Sequence, residues 1–170
     1  MSPAVKFILV FGISYLAFSG IYQSLIWLAE PGPDIFTIAI AKLLPHFIQG
    51  IELHQSPLRN GIQVWKENTG LVNIMEGCNG IAVWITLLSF IFAFKGHKKI
   101  YFWFIPLSFI LLQSGNLIRL VILIQIKMSN PSLFEIFHTY IFPAILYACA
   151  FGLMVWWVKM VQKKNINHEA

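Results

Sequence analysis

The chain has 170 residues, of which 58% are hydrophobic and only 11% are charged, and its mean hydropathy is +0.72. This composition excludes an ordinary soluble domain, whose surface would need far more polar residues, and it predicts one compact membrane domain. The formal charge of +5 does not indicate a nucleic-acid partner, because the lysines and arginines lie between apolar runs instead of forming one basic face.

The first apolar run covers residues 7–28 and is long enough to cross a hydrocarbon layer about 30 Å thick as a helix. Ala17-Phe18-Ser19 has a faint likeness to a signal-peptidase site, so cleavage is an alternative. However, the apolar residues continue from Ile21 to Leu28, beyond the end of a typical signal-peptide core. We therefore expect span one to be an uncleaved anchor.

Residues 30–77 are rich in proline and carry most of the acidic residues, and we expect them to form a small loop domain. Asp34 can cap a short helix that Pro45 stops before it could cross the membrane. Lys42 is the single charge among the apolar residues of this helix, a pattern that is typical of a helix lying along the bilayer surface.

The second half of the loop domain has the alternation of a small β-hairpin. Apolar and polar residues alternate at 51–54 and again at 62–65, and Asn60-Gly61 between them is a common turn dipeptide. We therefore predict a hairpin beside the surface helix.

The remaining apolar runs predict an all-α membrane protein with about four transmembrane helices and the small loop domain between the first two, on the non-cytoplasmic side. The predicted bounds are 80–94 for span two, 100–126 for span three, 141–158 for span four and 159–170 for a cytoplasmic tail. Polar residues near Gly115 leave the alternative that span three is two spans. A reversal there would leave backbone groups without partners in lipid, so we favour one helix.

The positive charges indicate the orientation of the bundle, because Lys and Arg accumulate in short cytoplasmic segments. Lys6, the basic segment 95–99 and the lysine-rich tail all fall on one side of a four-span arrangement. We therefore expect both termini to be cytoplasmic. Every acidic residue except Glu169 then lies on the outer side with the loop domain.

This topology brings three reactive residues that are far apart in sequence to one depth. Cys78 begins span two and His138 precedes span four, both at the outer face. Between residue 100 and Arg119 a helix rises roughly 28 Å at about 1.5 Å per residue. Arg119 therefore also lies near the outer boundary.

The three side chains have complementary chemistry. Cys78 is a candidate nucleophile, because a helix N-terminus and a nearby cation both favour the thiolate form of a cysteine. His138 can take up and return a proton near neutral pH. Arg119 does not transfer protons under these conditions, but it can stabilise a thiolate, an oxyanion or a substrate carboxylate.

Four neighbouring residues are candidates for supporting roles. Asn79 and Gly80 let the chain bend tightly into span two, which would leave free backbone N–H groups near the sulfur to hold an oxyanion. Asn116 lies on the same helix face as Arg119 and is expected to orient it. Glu76 either pairs with Arg119 or is an ordinary interfacial charge.

Each reactive residue also has a structural interpretation when it is considered alone. A cysteine in a membrane protein is usually a small buried hydrophobe, which is what we expect of Cys149, and an arginine or histidine near a span end can reach the headgroups. The combination of the three favours catalysis. No ligand spacing supports a metal site at His46 and His54, so we expect no metal and no other cofactor.

Glu76-Gly77-Cys78-Asn79-Gly80 stands at a span start, Asn116-Leu117-Ile118-Arg119 lies inside a later span, and His138 precedes the last span. In these residues and their order the chain resembles the exosortase and archaeosortase family, particularly its short bacterial members. The resemblance covers roughly residues 76–157. It implies a multi-pass protein of the bacterial plasma membrane with a cysteine transpeptidase site on the outer face.

By this resemblance Cys78 is the nucleophile, Arg119 the stabilising cation and His138 the general acid and base. The partner is an exported protein with a C-terminal sorting signal, which consists of a short motif, a transmembrane helix and a basic tail. A thioester acyl-enzyme passes the protein to a membrane lipid or glycan acceptor, or to water in a plain protease. The chain is close to the minimum length of the family, so accessory proteins could complete the site. The alternative is a non-catalytic membrane scaffold or assembly component.

Overall fold

The computed structural model describes residues 2–56, 60–96 and 98–166, and within them the chain is mostly helical with one small antiparallel sheet. The α-helices are α1 (Pro3–Ala29), α2 (Ile35–Leu43), α3 (Ile81–Ala93), α4 (Lys98–Ser129), α5 (Pro131–Ile136) and α6 (Phe142–Ile166). The strands are β1 (Ile51–Gln55), β2 (Gly61–Lys66) and β3 (Thr69–Met75).

Three helical segments of the described chain are long and apolar enough to cross a membrane. They are α1, α4 and the continuous segment Pro131–Lys163, which comprises α5, the turn after it and most of α6. Helix α3 is also apolar, but it has only 13 residues, which corresponds to about 20 Å. This length is below the roughly 30 Å of a hydrocarbon layer. Length and composition therefore support three spanning helices, and the chain of α4 runs through Gly115 without reversing.

The loop domain contains three strands where the sequence predicted two. The strands form an antiparallel meander in the order β1-β2-β3. Glu67 and Asn68, with φ of 49° and 61°, make the two-residue turn from β2 to β3. Such a turn needs positive φ at both positions, which Asn tolerates well and Glu does not, so the sequence signal for the second hairpin was weak.

The prediction that Asn60-Gly61 forms the turn between the strands was wrong in detail, because Gly61 is the first residue of β2. A Cβ atom at Gly61 would lie 2.7 Å from the carbonyl oxygen of Ile74, so the close approach of β3 requires glycine here. The backbone N–H of Ser56 donates to the Gly61 carbonyl. The connection between β1 and β2 thus includes residues 57–59, which lie outside the described part of the chain.

Helix α2 begins where Asp34 predicts it, since the Asp34 carboxylate accepts hydrogen bonds from the backbone N–H groups of Phe36 and Thr37. One face of α2 packs on the sheet and on the second half of α4, which gives a cluster of buried apolar side chains that we call the sheet core. The sheet core consists of Ile40, Ala41, Leu44, Ile48, Ile51, Ile62, Val64, Ile74, Leu120 and Ile124.

A second cluster, the bundle core, fills the space between α3, the first half of α4 and α6. It consists of Val83, Leu87, Ile91, Ile100, Phe104, Leu112, Leu146, Ala150, Trp157 and Val161. Helix α1 packs on α3 from outside, with Phe7 against Phe90 and Phe18 against Phe92, and none of its residues is buried. Within the part of the chain that the structure describes, α4 is therefore the one helix with buried side chains in both cores.

The start of α1, the end of α3 and the end of α6 meet at the far end of the bundle core from the sheet. Lys6, Lys95 and Gln162 line one open cavity there. A Cβ atom at Gly96 would lie 2.8 Å from the ring of Trp157, so the loop after α3 is also packed closely against α6. Lys6 and Lys95, which are far apart in the sequence, thus lie close together at the end opposite the loop domain.

Candidate active site

Cys78 and His138 approach each other at the sheet end of the molecule. The Sγ atom of Cys78 lies 4.0 Å from Nε2 of His138, and both residues are half-buried. Cys78 ends a single 3₁₀ turn, Glu76–Cys78, that follows β3 directly. Both side chains line a cleft of about 230 Å³ between β3, α4 and α5. The thiol and the imidazole therefore share one cavity that is open to an incoming molecule.

The turn that carries Cys78 depends on Gly80. Gly80 has φ of +75°, a left-handed conformation that L side chains rarely adopt. A Cβ atom at Gly80 would also lie 3.1 Å from the side chain of Asn116. At Gly77, by contrast, a Cβ atom would meet open space. Of the two glycines that bracket Cys78, only Gly80 is therefore required by the backbone.

Asn116 links the cysteine turn to Arg119. Its Nδ2 atom donates to the backbone carbonyl of Cys78 at 2.8 Å, and its Oδ1 atom accepts from Nη1 of Arg119 at 3.3 Å. Both side chains are buried, and within α4 they lie between Leu112 of the bundle core and Leu120 of the sheet core. Asn116 thus orients Arg119, as the sequence predicted, and it also holds Cys78.

Arg119 does not line the cleft of Cys78 and His138. It lines a separate cavity of about 280 Å³ between α4 and α6, where Cys149 is also exposed, so the expectation that Cys149 is buried was wrong. The guanidinium is nevertheless within electrostatic range of Cys78 and of His138. Its Nε–H is buried and has no hydrogen-bond partner among the described residues. Arg119 is therefore a buried cation beside the pair that still has a donor to offer.

Glu76 does not form the ion pair with Arg119 that the sequence left open. Its side chain is half-buried, and within the described residues the only ion pair joins His54 to Glu52. The backbone carbonyl of Glu76 accepts from the N–H of Asn79 and closes the cysteine turn. Glu76 therefore contributes to the shape of the turn through its backbone.

His138 lies in a π-helical turn, Phe137–Ile141, between α5 and α6. Pro143 follows this turn and has no backbone N–H to donate, so a regular α-helical bond is missing at this point. The imidazole stacks on the ring of Phe134 with centroids 5.4 Å apart, and Lys127 stands 5.1 Å from the same ring. The π-turn and the stack together hold the imidazole towards the sulfur.

Asn79 is at the centre of a buried polar cluster that the sequence did not reveal. Its Nδ2 atom is within hydrogen-bond distance of the phenol oxygen of Tyr22, the hydroxyl of Thr37 and both carboxylate oxygens of Asp34. Its Oδ1 atom accepts from the backbone N–H of Ile81. Because this N–H at the start of α3 already donates to Asn79, it is not free to hold an oxyanion, contrary to our expectation. The cluster ties the cysteine turn to both α1 and α2.

The signal for this cluster was only partly visible in the sequence. Asp34 was predicted as a helix cap, and it is one, but Asp34, Thr37 and Asn79 are also buried almost completely. Burial of this kind depends on contacts between α2 and the cysteine turn, which are distant in the chain. Among the described residues, no group of three or more His, Cys, Asp and Glu side chains is placed to hold a metal ion.

Comparisons with family models, with curated proteins and with solved structures each find no match to this chain. The chemistry of the site must therefore be judged from its own groups. A thiol beside an imidazole can give a thiolate nucleophile, and a buried guanidinium close by favours negative charge on the sulfur or on a substrate oxygen.

Proposed function

We propose that the protein is a membrane-embedded cysteine transpeptidase or peptidase of the exosortase type, which cleaves a C-terminal sorting signal of exported proteins. The observation that carries the proposal is the 4.0 Å approach of Cys78 Sγ to His138 Nε2 in one cleft. Catalytic hydrogen bonds are often longer than 3.2 Å in the absence of substrate and shorten when it binds.

In the proposed reaction, Nε2 of His138 takes the proton from the thiol of Cys78, and the sulfur attacks the scissile carbonyl. The carbonyl oxygen becomes an oxyanion as the carbon–sulfur bond forms. When the carbon–nitrogen bond breaks, His138 returns its proton to the leaving amine, and a thioester remains on Cys78. An amine or hydroxyl of the acceptor then attacks the thioester, and the thiol is regenerated.

Arg119 acts in this proposal as a fixed positive charge. Its bond to Asn116, which also holds the carbonyl of Cys78, keeps the guanidinium at a constant distance from the nucleophile. Because the charge is buried, its attraction for a thiolate or an oxyanion is screened less than it would be in water. Removing Arg119 should therefore lower the rate without dismantling the cleft.

We further propose a four-span topology in which α3 is a short second span and the end with Lys6 and Lys95 is cytoplasmic. This topology is supported by the position of Lys6 and Lys95, which come from separate chain segments and line one cavity at the end opposite the loop domain. The cleft then opens on the outer side, where an exported protein arrives. The Asn79 cluster anchors the outer end of α3, which compensates for its short length.

The test compares the two cysteines. The chain is co-expressed in bacteria with an exported reporter that ends in a short motif, a transmembrane helix and a basic tail, and processing is followed by the change in reporter mass. Cys78→Ala should abolish processing, whereas Cys149→Ala, a matched change at an exposed cysteine, should leave it intact. The product mass distinguishes transfer, which adds an acceptor, from hydrolysis.

Normal processing by Cys78→Ala, with the variant inserted at the usual level, would contradict catalysis. A non-catalytic scaffold predicts this result, because a scaffold needs only the packing of Cys78 and not its thiol.

A further inference from the structure

The cleft that contains Cys78 and His138 runs along the edge of the sheet. Its walls include Leu71, Val72, Asn73 and Ile74, which are consecutive residues of β3. Successive side chains of a strand point to opposite faces of the sheet. After the irregularity at Leu71, the side chains of Val72, Asn73 and Ile74 alternate in this way, so a cavity that touches all three lies at the edge of the strand.

The edge of β3 is available for pairing. The strand order β1-β2-β3 gives β3 a neighbour on one side only. In the part of the chain that the structure describes, residues 71–74 make no backbone hydrogen bonds beyond those within the sheet. Their outward N–H and C=O groups are the kind of edge to which extended peptides add as a further strand.

The opposite wall of the cleft is apolar. It is formed by Leu120, Leu123 and Ile124 of α4 and by Phe134 of α5, and no Asp, Glu, Lys or Arg of the described chain lines the cleft. A charged side chain would lose its hydration here without gaining a partner. The wall therefore selects apolar side chains.

The position of the nucleophile relative to β3 gives the cleft a direction. Strand β3 ends at Met75, and Cys78 lies in the turn that follows. A peptide that pairs with β3 consequently passes the sulfur at the end of the strand. The imidazole of His138 faces the same point from the π-helical turn that follows α5.

We propose that this cleft is the peptide-binding site, in which an extended apolar segment of the substrate adds to β3 as a fourth strand and presents its scissile carbonyl to Cys78. This inference rests on the proposed function and specifies its substrate class. Backbone hydrogen bonds to β3 supply the affinity, and the apolar wall supplies the preference for side chains.

The test measures alkylation of Cys78 in the full-length chain, solubilised in detergent and carrying Cys149→Ala so that only one cysteine reacts. The probe is acetyl-Val-Ala-Val-Ala chloromethyl ketone, from which the sulfur displaces chloride. It is compared with the same peptide methylated on its backbone nitrogens and with iodoacetamide. The unmethylated peptide should react about tenfold faster than the methylated one, because strand addition needs its N–H groups.

Two leucines provide a matched pair of variants. Leu71 on β3 and Leu53 on β1 are both partly buried against the sheet core, but they lie on opposite edge strands and only Leu71 lines the cleft. Leu71→Trp should slow the peptide probe about tenfold more than it slows iodoacetamide, because the indole blocks the strand position more than it blocks a small reagent. Leu53→Trp should change neither rate.

The outcomes separate this inference from the function on which it rests. Equal rates for the methylated and unmethylated peptides, or a Leu71→Trp variant that slows iodoacetamide as much as the peptide, would overturn strand addition. An iodoacetamide rate that is the same with and without His138→Ala would instead overturn the thiol–imidazole pair, and with it the proposed function.

Discussion

In the bundle core, α3, α4 and α6 meet through aliphatic and aromatic side chains, and Ser89 and Ser108 donate to carbonyl groups of their own helices. Hydrogen bonds between helices in the bundle core are made by aromatic side chains. One example is the indole N–H of Trp157, which donates to the carbonyl of Phe94. Around Cys78 the arrangement differs. Small polar side chains are buried there, and Asn79 and Asn116 bond across element boundaries.

The two regions should differ in how well they tolerate amino-acid substitutions. An apolar core accepts substitutions that keep its volume, because contacts between such side chains have little directionality. A buried polar network requires every partner, since an unpaired polar group far from water costs free energy. The bundle core therefore supports the site, whereas the polar network fixes the position of Cys78. The predictions below compare matched changes in the two regions.

The largest expected effect is on the rate of processing by Arg119→Met. This change removes the charge but keeps a long apolar stem, so we expect the rate to fall about 100- to 1000-fold, as when one stabilising donor is lost from an active site. The free energy of unfolding should also fall, by about 1–2 kcal/mol, because the buried Oδ1 atom of Asn116 loses its donor. The comparison is Leu112→Met in the bundle core, also on α4, which should keep its full rate. A normal rate for Arg119→Met would remove Arg119 from the mechanism.

The features of the site that could be predicted from the sequence were those that depend on local signals and on helix length. Asp34 and Pro45 gave the limits of α2, and the rise of α4 placed Arg119 at the depth of Cys78. The sequence also placed His138 at the depth of Cys78, since both stand at helix ends beside the loop domain, but it did not show that the two side chains lie next to each other at that depth.

Other features depend on contacts between distant segments, and the sequence did not show them. Opposite Val64 and Trp65, β3 has one additional residue, Leu71, which breaks the regular alternation of β3, so the sequence did not mark β3 as a strand. Asn79 appeared only as a residue that helps the chain to bend, because its partners Tyr22 and Asp34 lie in other helical segments or caps. The cleft could not be predicted either, since it exists only where β3 meets α4 and α5.

The next largest effect is expected for Asn79→Ala, which leaves the buried carboxylate of Asp34 without one of its donors. We expect this to lower the free energy of unfolding by about 3 kcal/mol, and it should also reduce alkylation of Cys78 by the peptide probe. The matched change in the bundle core is Ser89→Ala, which should cost less than about 1 kcal/mol because Ser89 bonds only within α3. Chemical denaturation in micelles measures both variants.

A double variant shows whether Asn79 acts through Asp34. If the two side chains stabilise each other, the cost of Asn79→Ala combined with Asp34→Ala is smaller than the sum of the single costs. Strictly additive costs would mean that the two residues act independently, and the network would then not fix the turn.

A smaller effect is expected at the glycines on either side of Cys78. Gly80→Ala should lower the free energy of unfolding by about 2 kcal/mol, because it places a side chain at positive φ and close to Asn116. Gly77→Ala should stay within about 0.5 kcal/mol of the parent, since its Cβ atom meets open space. The reverse order, with Gly77→Ala the more damaging, would contradict the conformation of the cysteine turn.

The smallest effect is expected from Trp157→Phe, which tests whether the bundle core is as tolerant as its composition suggests. Trp157 is fully buried, and its indole N–H donates to the carbonyl of Phe94 at 2.8 Å. Phenylalanine keeps most of the ring packing, so we expect a loss of about 1 kcal/mol, the usual value of one hydrogen bond, and an unchanged processing rate. If the processing rate fell together with stability, the bundle core would also set the position of Cys78, and the two regions would not be separable as we describe.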